Sequence, residues 1–147
     1  MFLLDTDHLV VLQRRGPKHE YENLSRRMAQ FGLDDFAISV VTIHEQMLGA
    51  NAYISRANDR DGILRGYEMM KRTLQDAGYY LVLPFDEAAL LEFERQRHAG
   101  VRIATMDLRI GCIGVSRQLT VLTRNLVDFR AVSGLSVEDW TTHQEPS

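Results

Sequence analysis

Short apolar runs, each separated from the next by segments of helical periodicity, are the feature that most restricts what this chain can fold into. Phe2 to Leu4 reads as a buried strand and leads into a helix over Thr6 to Arg15 that Gly16-Pro17 stops. Lys18 to Phe31 is helical, with Tyr21, Leu24, Met28 and Phe31 on one face, and Gly32 ends it. Phe36 to Val40 is a second strand, followed by a helix to about Ala50. A longer helix runs from about Asn58 to Ala77, with Ile63, Tyr67, Met70 and Leu74 on one stripe and Gly78 as its cap. Tyr80 to Leu83 is a third strand, broken by Pro84, and Asp86 to His98 is helical. Thr105 is suited to N-cap a helix through Gln118 whose core face is Leu108, Cys112, Val115 and Leu119. Thr120 to Thr123 is a fourth strand, and Val132 to Trp140 adds a short edge strand. Strands alternating with helices require right-handed crossovers. The expected class is therefore α/β, a three-layer α/β/α arrangement around a central, mostly parallel sheet of four to five strands. No repeat or linker interrupts residues 1–147, which predicts one domain.

Composition narrows the classes further. Hydrophobic residues make up 45% and charged residues 25%, an ordinary balance for a globular protein. No apolar run approaches the ~20 residues that span a bilayer. Met1-Phe2-Leu3-Leu4-Asp5 reaches an acid too early for a secretion signal, so the expectation is a cytoplasmic chain without membrane contact. A single cysteine, Cys112, excludes intrachain disulfides and thiolate zinc sites, and its setting between Gly111 and Gly114 suits a buried core thiol. The net charge of -3 lacks the basic footprint usual for nucleic-acid binding. That objection weakens if several acids are metal ligands, because the cations reverse their field.

In parallel α/β sheets, ligands bind outside the carboxyl ends of the strands. Asp5 ends the first strand, Glu45 lies in the first turns of the helix after the second, and Asp107 opens the helix that begins at Thr105. Asn125 and Asp128 follow the fourth strand. All five map to one edge of the expected sheet. Each alone has a plainer reading: acids in a first helical turn complement the macrodipole, and Asp5 and Asp7 equally serve as caps. Glu45 lies about 200° round from Ile43 at ~100° per residue, away from the stripe of Val40, Ile43, Met47 and Ala50. Convergence of three or more acids is what favours a site. Carboxylates pressed together repel until one takes a proton or a cation sits between them. Hard oxygen donors without clustered histidine suit Mg²⁺ or Mn²⁺, and such ions assist phosphodiester hydrolysis.

Other signals are set aside. His44-Glu45 begins a zincin motif, but Leu48 stands where the second histidine belongs. His8, His19, His98 and His143 have no partner at ligand spacing, which points to surface or capping positions. The glycines at 111 and 114 lie inside a helix and favour close contact between helix and sheet. Asp5-Thr6-Asp7 after a strand also occurs in phosphotransferases that form an aspartyl-phosphate. Thr42 and Lys71 are weak candidates for the rest of that machinery, and the acid pair Asp34-Asp35 comes too early for it.

Four segments taken in order resemble the PIN-domain toxins of VapC type, the ribonuclease halves of bacterial toxin–antitoxin pairs. They are Leu3-Leu4-Asp5-Thr6-Asp7-His8-Leu9, Ser39-Val40-Val41-Thr42-Ile43-His44-Glu45-Gln46, Ile103-Ala104-Thr105-Met106-Asp107-Leu108-Arg109-Ile110 and Leu122-Thr123-Arg124-Asn125-Leu126-Val127-Asp128-Phe129. Glu138-Asp139-Trp140 is a further similar ending. The resemblance implies a PIN-like fold and metal-dependent endoribonuclease activity. It makes Asp5 and Asp107 the principal Mg²⁺ ligands (or Mn²⁺), with Glu45 completing the catalytic triad of acids. Asn125, Asp128 and Asp7 would support that site or a second metal. The family often has Asn where Asp7 stands, so Asp7 either adds charge or only caps a helix. A fourth acid is frequent where Asn125 stands, which brings no charge and opens the alternative of an RNA-binding module without catalysis. Arg102, Arg109 and Arg124, near these acids in sequence, are candidates for phosphate contact. The resemblance further implies a homodimer and a cognate antitoxin that occludes the cleft.

Overall fold

The computed structural model describes residues 1–143. The first strand, β1 (Phe2–Leu4), pairs in parallel with β2 (Phe36–Ser39) on one side and β4 (Thr120–Leu122) on the other. With β3 (Leu81–Leu83) beyond β2 and β5 (Ser136–Glu138) beyond β4, the sheet has five parallel strands in the order β3-β2-β1-β4-β5. The expected three-layer α/β/α class is borne out, and the register explains it. Leu3, Ala37 and Val121 are aligned across the sheet and pack into one buried cluster with Ile110, Ile113 and Phe129. The next aligned row, Leu4, Ile38 and Leu122, points the other way and joins Leu9, Leu24 and Trp140. Successive strand residues face opposite sides, so a run apolar at every position demands helices on both faces.

The helices are α1 (Thr6–Arg14), α2 (Lys18–Met28), α3 (Val40–Arg56), α4 (Arg60–Tyr79), α5 (Glu87–His98), α6 (Thr105–Arg117) and the short α7 (Leu126–Phe129). Several boundaries differ from expectation, for local reasons. The second strand ends at Ser39, whose hydroxyl accepts from the Thr42 amide, and Val40 already belongs to α3. That helix runs on to Arg56, well past Ala50, and Val41 is buried while Val40 is exposed. Helix α2 stops at Met28, with Phe31 beyond it in a turn. Gly78 does not cap α4: the helix continues to Tyr79, and the Tyr80 amide donates to the Asp76 carbonyl. Thr105 is the first residue of α6; Ala104 holds the cap position without a side-chain bond.

The long α4 corrects a second expectation. Its stripe faces solvent, with Ile63 44%, Tyr67 57% and Leu74 61% exposed. The helix rests on α3 through Gly66 and Thr73 instead, and a β-carbon at Gly66 would overlap Ile54. On the other side, Gly114 brings α6 against the sheet: a β-carbon there would lie 2.9 Å from Val121 and 2.8 Å from Leu135. Cys112 is buried, as expected. Among the described residues, no helix is long and apolar enough to cross a membrane.

The chain leaves β1 toward β2 and β3, then returns across the sheet to lay β4 on β1's other side. The crevice at the carboxyl ends of β1 and β4 is thus the switch point where such sheets bind ligands.

Candidate active site

Parallel register carries the site. Leu4 is level with Ile38 and Leu122, so the residues that follow each strand row, Asp5, Ser39 and Thr123, come out side by side. The Asp5 amide donates to the Leu122 carbonyl at 2.9 Å, which fixes its backbone. Its carboxylate accepts from the Thr6 amide at 2.7 Å through Oδ1 and from the Thr123 hydroxyl at 2.8 Å through Oδ2. Asp5 is only 5% exposed. Burial, with the nearby charge of Asp7 next in importance, pushes its carboxyl from 3.8 up to about 8. The two threonine bonds oppose that rise.

Glu45 projects from the second turn of α3, and its Oε1 accepts from the Thr6 hydroxyl at 2.9 Å. The same hydroxyl lies 3.0 Å from that of Thr42, which is fully buried. Asp107 stands in the first turn of α6. Burial raises the pKa of both acids, and each also feels a neighbouring carboxylate, Asp107 for Glu45 and Asp128 for Asp107. One carboxylate oxygen from each of Asp5, Glu45 and Asp107 lies within 4.8 Å of the others. Three acids from distant segments thus meet in one pocket, a donor set able to hold a cation.

The remaining sequence candidates divide. Asp7 lines the same cavity of about 350 Å³ and is committed to its neighbours. Its Oδ1 lies 2.8 Å from His8 Nδ1, and its Oδ2 accepts from the Arg124 amide at 3.0 Å. Burial alone would raise its pKa, but the bonds from His8 and Arg124 prevail and lower it. Asn125 also lines the cavity, and its Nδ2 donates to Asp128 at 3.0 Å and to Asp107 at 3.4 Å. In that orientation its amide faces the acids as a donor, rather than offering a carbonyl to a metal. Asp128 stands behind it, outside the cavity lining. Arg124 lines the cavity, with its guanidinium bonded to Glu20 at 2.8 Å. Arg102 and Arg109 lie elsewhere: Arg102 donates to the carbonyls of Arg97 and Val101, and Arg109 rests near Met106 and Phe93.

Four residues that position the acids escaped the sequence reading. Thr6, Thr42 and Thr123 supply or relay the hydroxyl bonds described above. Thr123 was findable, because the register that aligns Leu4 with Leu122 sets the next residue of each strand side by side. The fourth, His8, is buried rather than at the surface or a cap. Its Nε2 accepts from the Trp140 amide at 3.2 Å, so a neutral ring carries its proton on Nδ1 and donates it to Asp7. Only the fold of the distant tail reveals that partner.

A five-stranded parallel sheet between helical layers, with carboxylates gathered at its switch point, defines an α/β/α protein with an acidic crevice. The chain is similar to Ribonuclease VapC1 of Haemophilus influenzae, 23% identical over 145 residues that cover 96% of this chain and 98% of the relative. It is also similar to the tRNA(fMet)-specific endonuclease VapC of Salmonella typhimurium, 26% identical over 144 residues, 95% of this chain and 97% of the relative. Among solved structures, FitAB bound to an IR36 DNA fragment superposes with a TM-score of 0.73 at 24% identity, covering 99% of each chain. VapBC-1 from nontypeable Haemophilus influenzae gives 0.73 at 20% identity, covering 96% of this chain and 98% of the other. The resemblance to VapC-type PIN proteins is borne out over nearly the whole chain, and the structural likeness establishes the shared fold. No family model matches the chain.

Proposed function

We propose that this chain is a Mg²⁺- or Mn²⁺-dependent endoribonuclease, the toxin of a toxin–antitoxin pair, acting as one domain in the cytoplasm. The observation that carries the reading is the meeting of Asp5, Glu45 and Asp107 oxygens within 4.8 Å. The donor set fits a hard divalent ion, because it offers carboxylates alone and their mutual repulsion is what such a charge relieves. When bound, the cation supplies positive charge to a phosphodiester and makes a water a better nucleophile. The protein's part is to fix the acids. Thr6 and Thr123 aim Asp5, Thr6 backed by Thr42 aims Glu45, and Asn125 steadies Asp107 against Asp128. Asp7 adds negative charge, and Arg124 offers a cation at the rim. RNA as substrate draws support from the names of the relatives, a ribonuclease and a tRNA endonuclease. The VapBC complex among the structural neighbours supports an antitoxin as partner, which this reading places over the crevice together with a homodimeric assembly.

Lys71, which the aspartyl-phosphate alternative needs, is exposed on α4 and does not line the acid cavity. The test is cleavage of RNA by the wild type and by Asp5→Asn and Asp107→Asn. The expected result is at least a hundredfold loss of Mg²⁺-dependent cleavage in each folded variant. Undiminished cleavage in either variant would reject the site, and RNA binding without cleavage by the wild type would make the chain a binding module.

A further inference from the structure

A second, larger groove of about 630 Å³ opens from the acid cavity and shares Thr6, Val10 and Glu45 with it. Helices α1 and α3 both start at the acids and carry the groove away from them. Arg14 lies eight residues beyond Thr6, and Tyr53 eight beyond Glu45, which is about 12 Å along each helix axis. Helix α4 closes the far side with Arg65 and Arg72.

The polar groups of the floor are already engaged. Gln13 and Gln46 exchange two amide bonds of 3.0 Å, Gln13 also donates to Asp76 at 2.6 Å, and Thr73 donates to Gln46 at 3.1 Å. That network ties α1, α3 and α4 together and leaves recognition to the rim. There Arg14, Arg65 and Arg72 are exposed, and none forms an ion pair among the described residues. Tyr53 is 38% exposed, with the Arg65 guanidinium 6.0 Å from its ring centroid. Glu68 is the one acid on the rim besides Glu45, which turns toward the acid cavity. Unpaired guanidinium groups around an accessible aromatic ring match the chemistry of a polyanion whose bases can stack.

We infer that this groove holds a single-stranded segment of the RNA beside the scissile phosphate, with Arg14, Arg65 and Arg72 on its phosphates and Tyr53 stacked on a base. The inference rests on the ribonuclease reading and adds where the strand runs and which residues set its affinity. Continuity with the acid cavity decides for RNA over a protein segment: a strand whose phosphate meets Asp5 and Glu45 has this groove as its exit.

The test uses a fluorescein-labelled single-stranded RNA of about 12 nucleotides, long enough to fill a typical single-strand site. Binding is followed by anisotropy in EDTA across a salt series, and cleavage in Mg²⁺. Each of Arg14→Gln, Arg65→Gln and Arg72→Gln should weaken binding about 5- to 10-fold and lower the salt slope by about 1. Tyr53→Ala should weaken binding about 5- to 100-fold. In Mg²⁺ the loss should fall in KM rather than kcat. Arg26→Gln, the same charge change on the far helix α2, should leave affinity as it was. A triple Arg→Gln variant with wild-type affinity and salt slope would overturn the inference. A wild type that cuts RNA while the groove variants match it defeats this inference alone. A wild type that neither binds nor cuts RNA defeats the ribonuclease reading with it.

Discussion

The two ends of β1 and β2 gather residues from distant segments and do opposite things with them. At the amino ends, Phe2 and Phe36 stack at 5.7 Å, Trp140 closes on Phe2 at 4.6 Å, and Phe31 stacks on Trp140 at 5.5 Å. Arg27 lies over the Trp140 ring at 4.5 Å. At the carboxyl ends, three residues further along, Asp5, Glu45 and Asp107 meet, relieved by the Thr6 and Thr123 hydroxyls, the Thr6 amide and the Asn125 side chain. One end packs aromatic rings against each other in stacked and edge-on pairs. The other holds like charges together against their repulsion. The lesson is that a strand triplet delivers both: Phe2 begins it in the aromatic cluster and Asp5 follows it into the crevice.

Removing a ring at one end and an acid at the other should act with opposite sign on metal-free stability. The largest effect is expected for Trp140→Ala, which removes the hub of the aromatic cluster and should cost about 3–5 kcal/mol in urea unfolding. If stability is unchanged, the amino end is not the anchor described. Next comes the metal-free response to pH. Because folding raises the Asp5 carboxyl from 3.8 to about 8, the folded state binds a proton that the unfolded state has released. Stability in EDTA should therefore be fullest near pH 4 and fall as pH rises toward 8. Asp5→Asn should flatten that slope and stabilise the metal-free protein at pH 8, and Mg²⁺ should restore the wild type. A wild-type melting temperature that climbs between pH 5 and 8 in EDTA would contradict the charge crowding.

A smaller loss, about 1–3 kcal/mol, is expected for Thr123→Val, which leaves Asp5 Oδ2 and the Asn125 amide without a partner. Thr123→Ser should keep both bonds and cleavage activity. The smallest effect is expected for Asn125→Asp. Exchanging a donor for a further carboxylate should lower metal-free stability by about 1 kcal/mol and tighten Mg²⁺ binding, measured by calorimetry.

The strands and the three acids were legible because both signals are local: an apolar triplet, then a polar residue at its end. The layering followed from alternation of strands and helices alone. What stayed hidden depended on partners far away in sequence. The Ile63, Tyr67 and Leu74 stripe has the period of a buried face, but Gly66 and Thr73, which pack on α3, carry no apolar signature. Gly78 looked like a stop because glycine is common at helix ends, yet the ladder runs through it to Tyr80. Thr6 and Thr42 became visible as a relay only once α1 and α3 stood side by side. His8 offered no pattern at all until the segment around Trp140 folded back on it.

The bond from Thr123 to Asp5 joins residues 118 positions apart, and Trp140 reaches His8 across 132. A chain emerging from the ribosome in order therefore has Asp5 and Glu45 long before it has Asp107, Thr123 or the tail that braces His8. The crevice is assembled last. A chain that ends before Asp107 therefore lacks one member of the acid cluster and every contact between the Trp140 segment and His8.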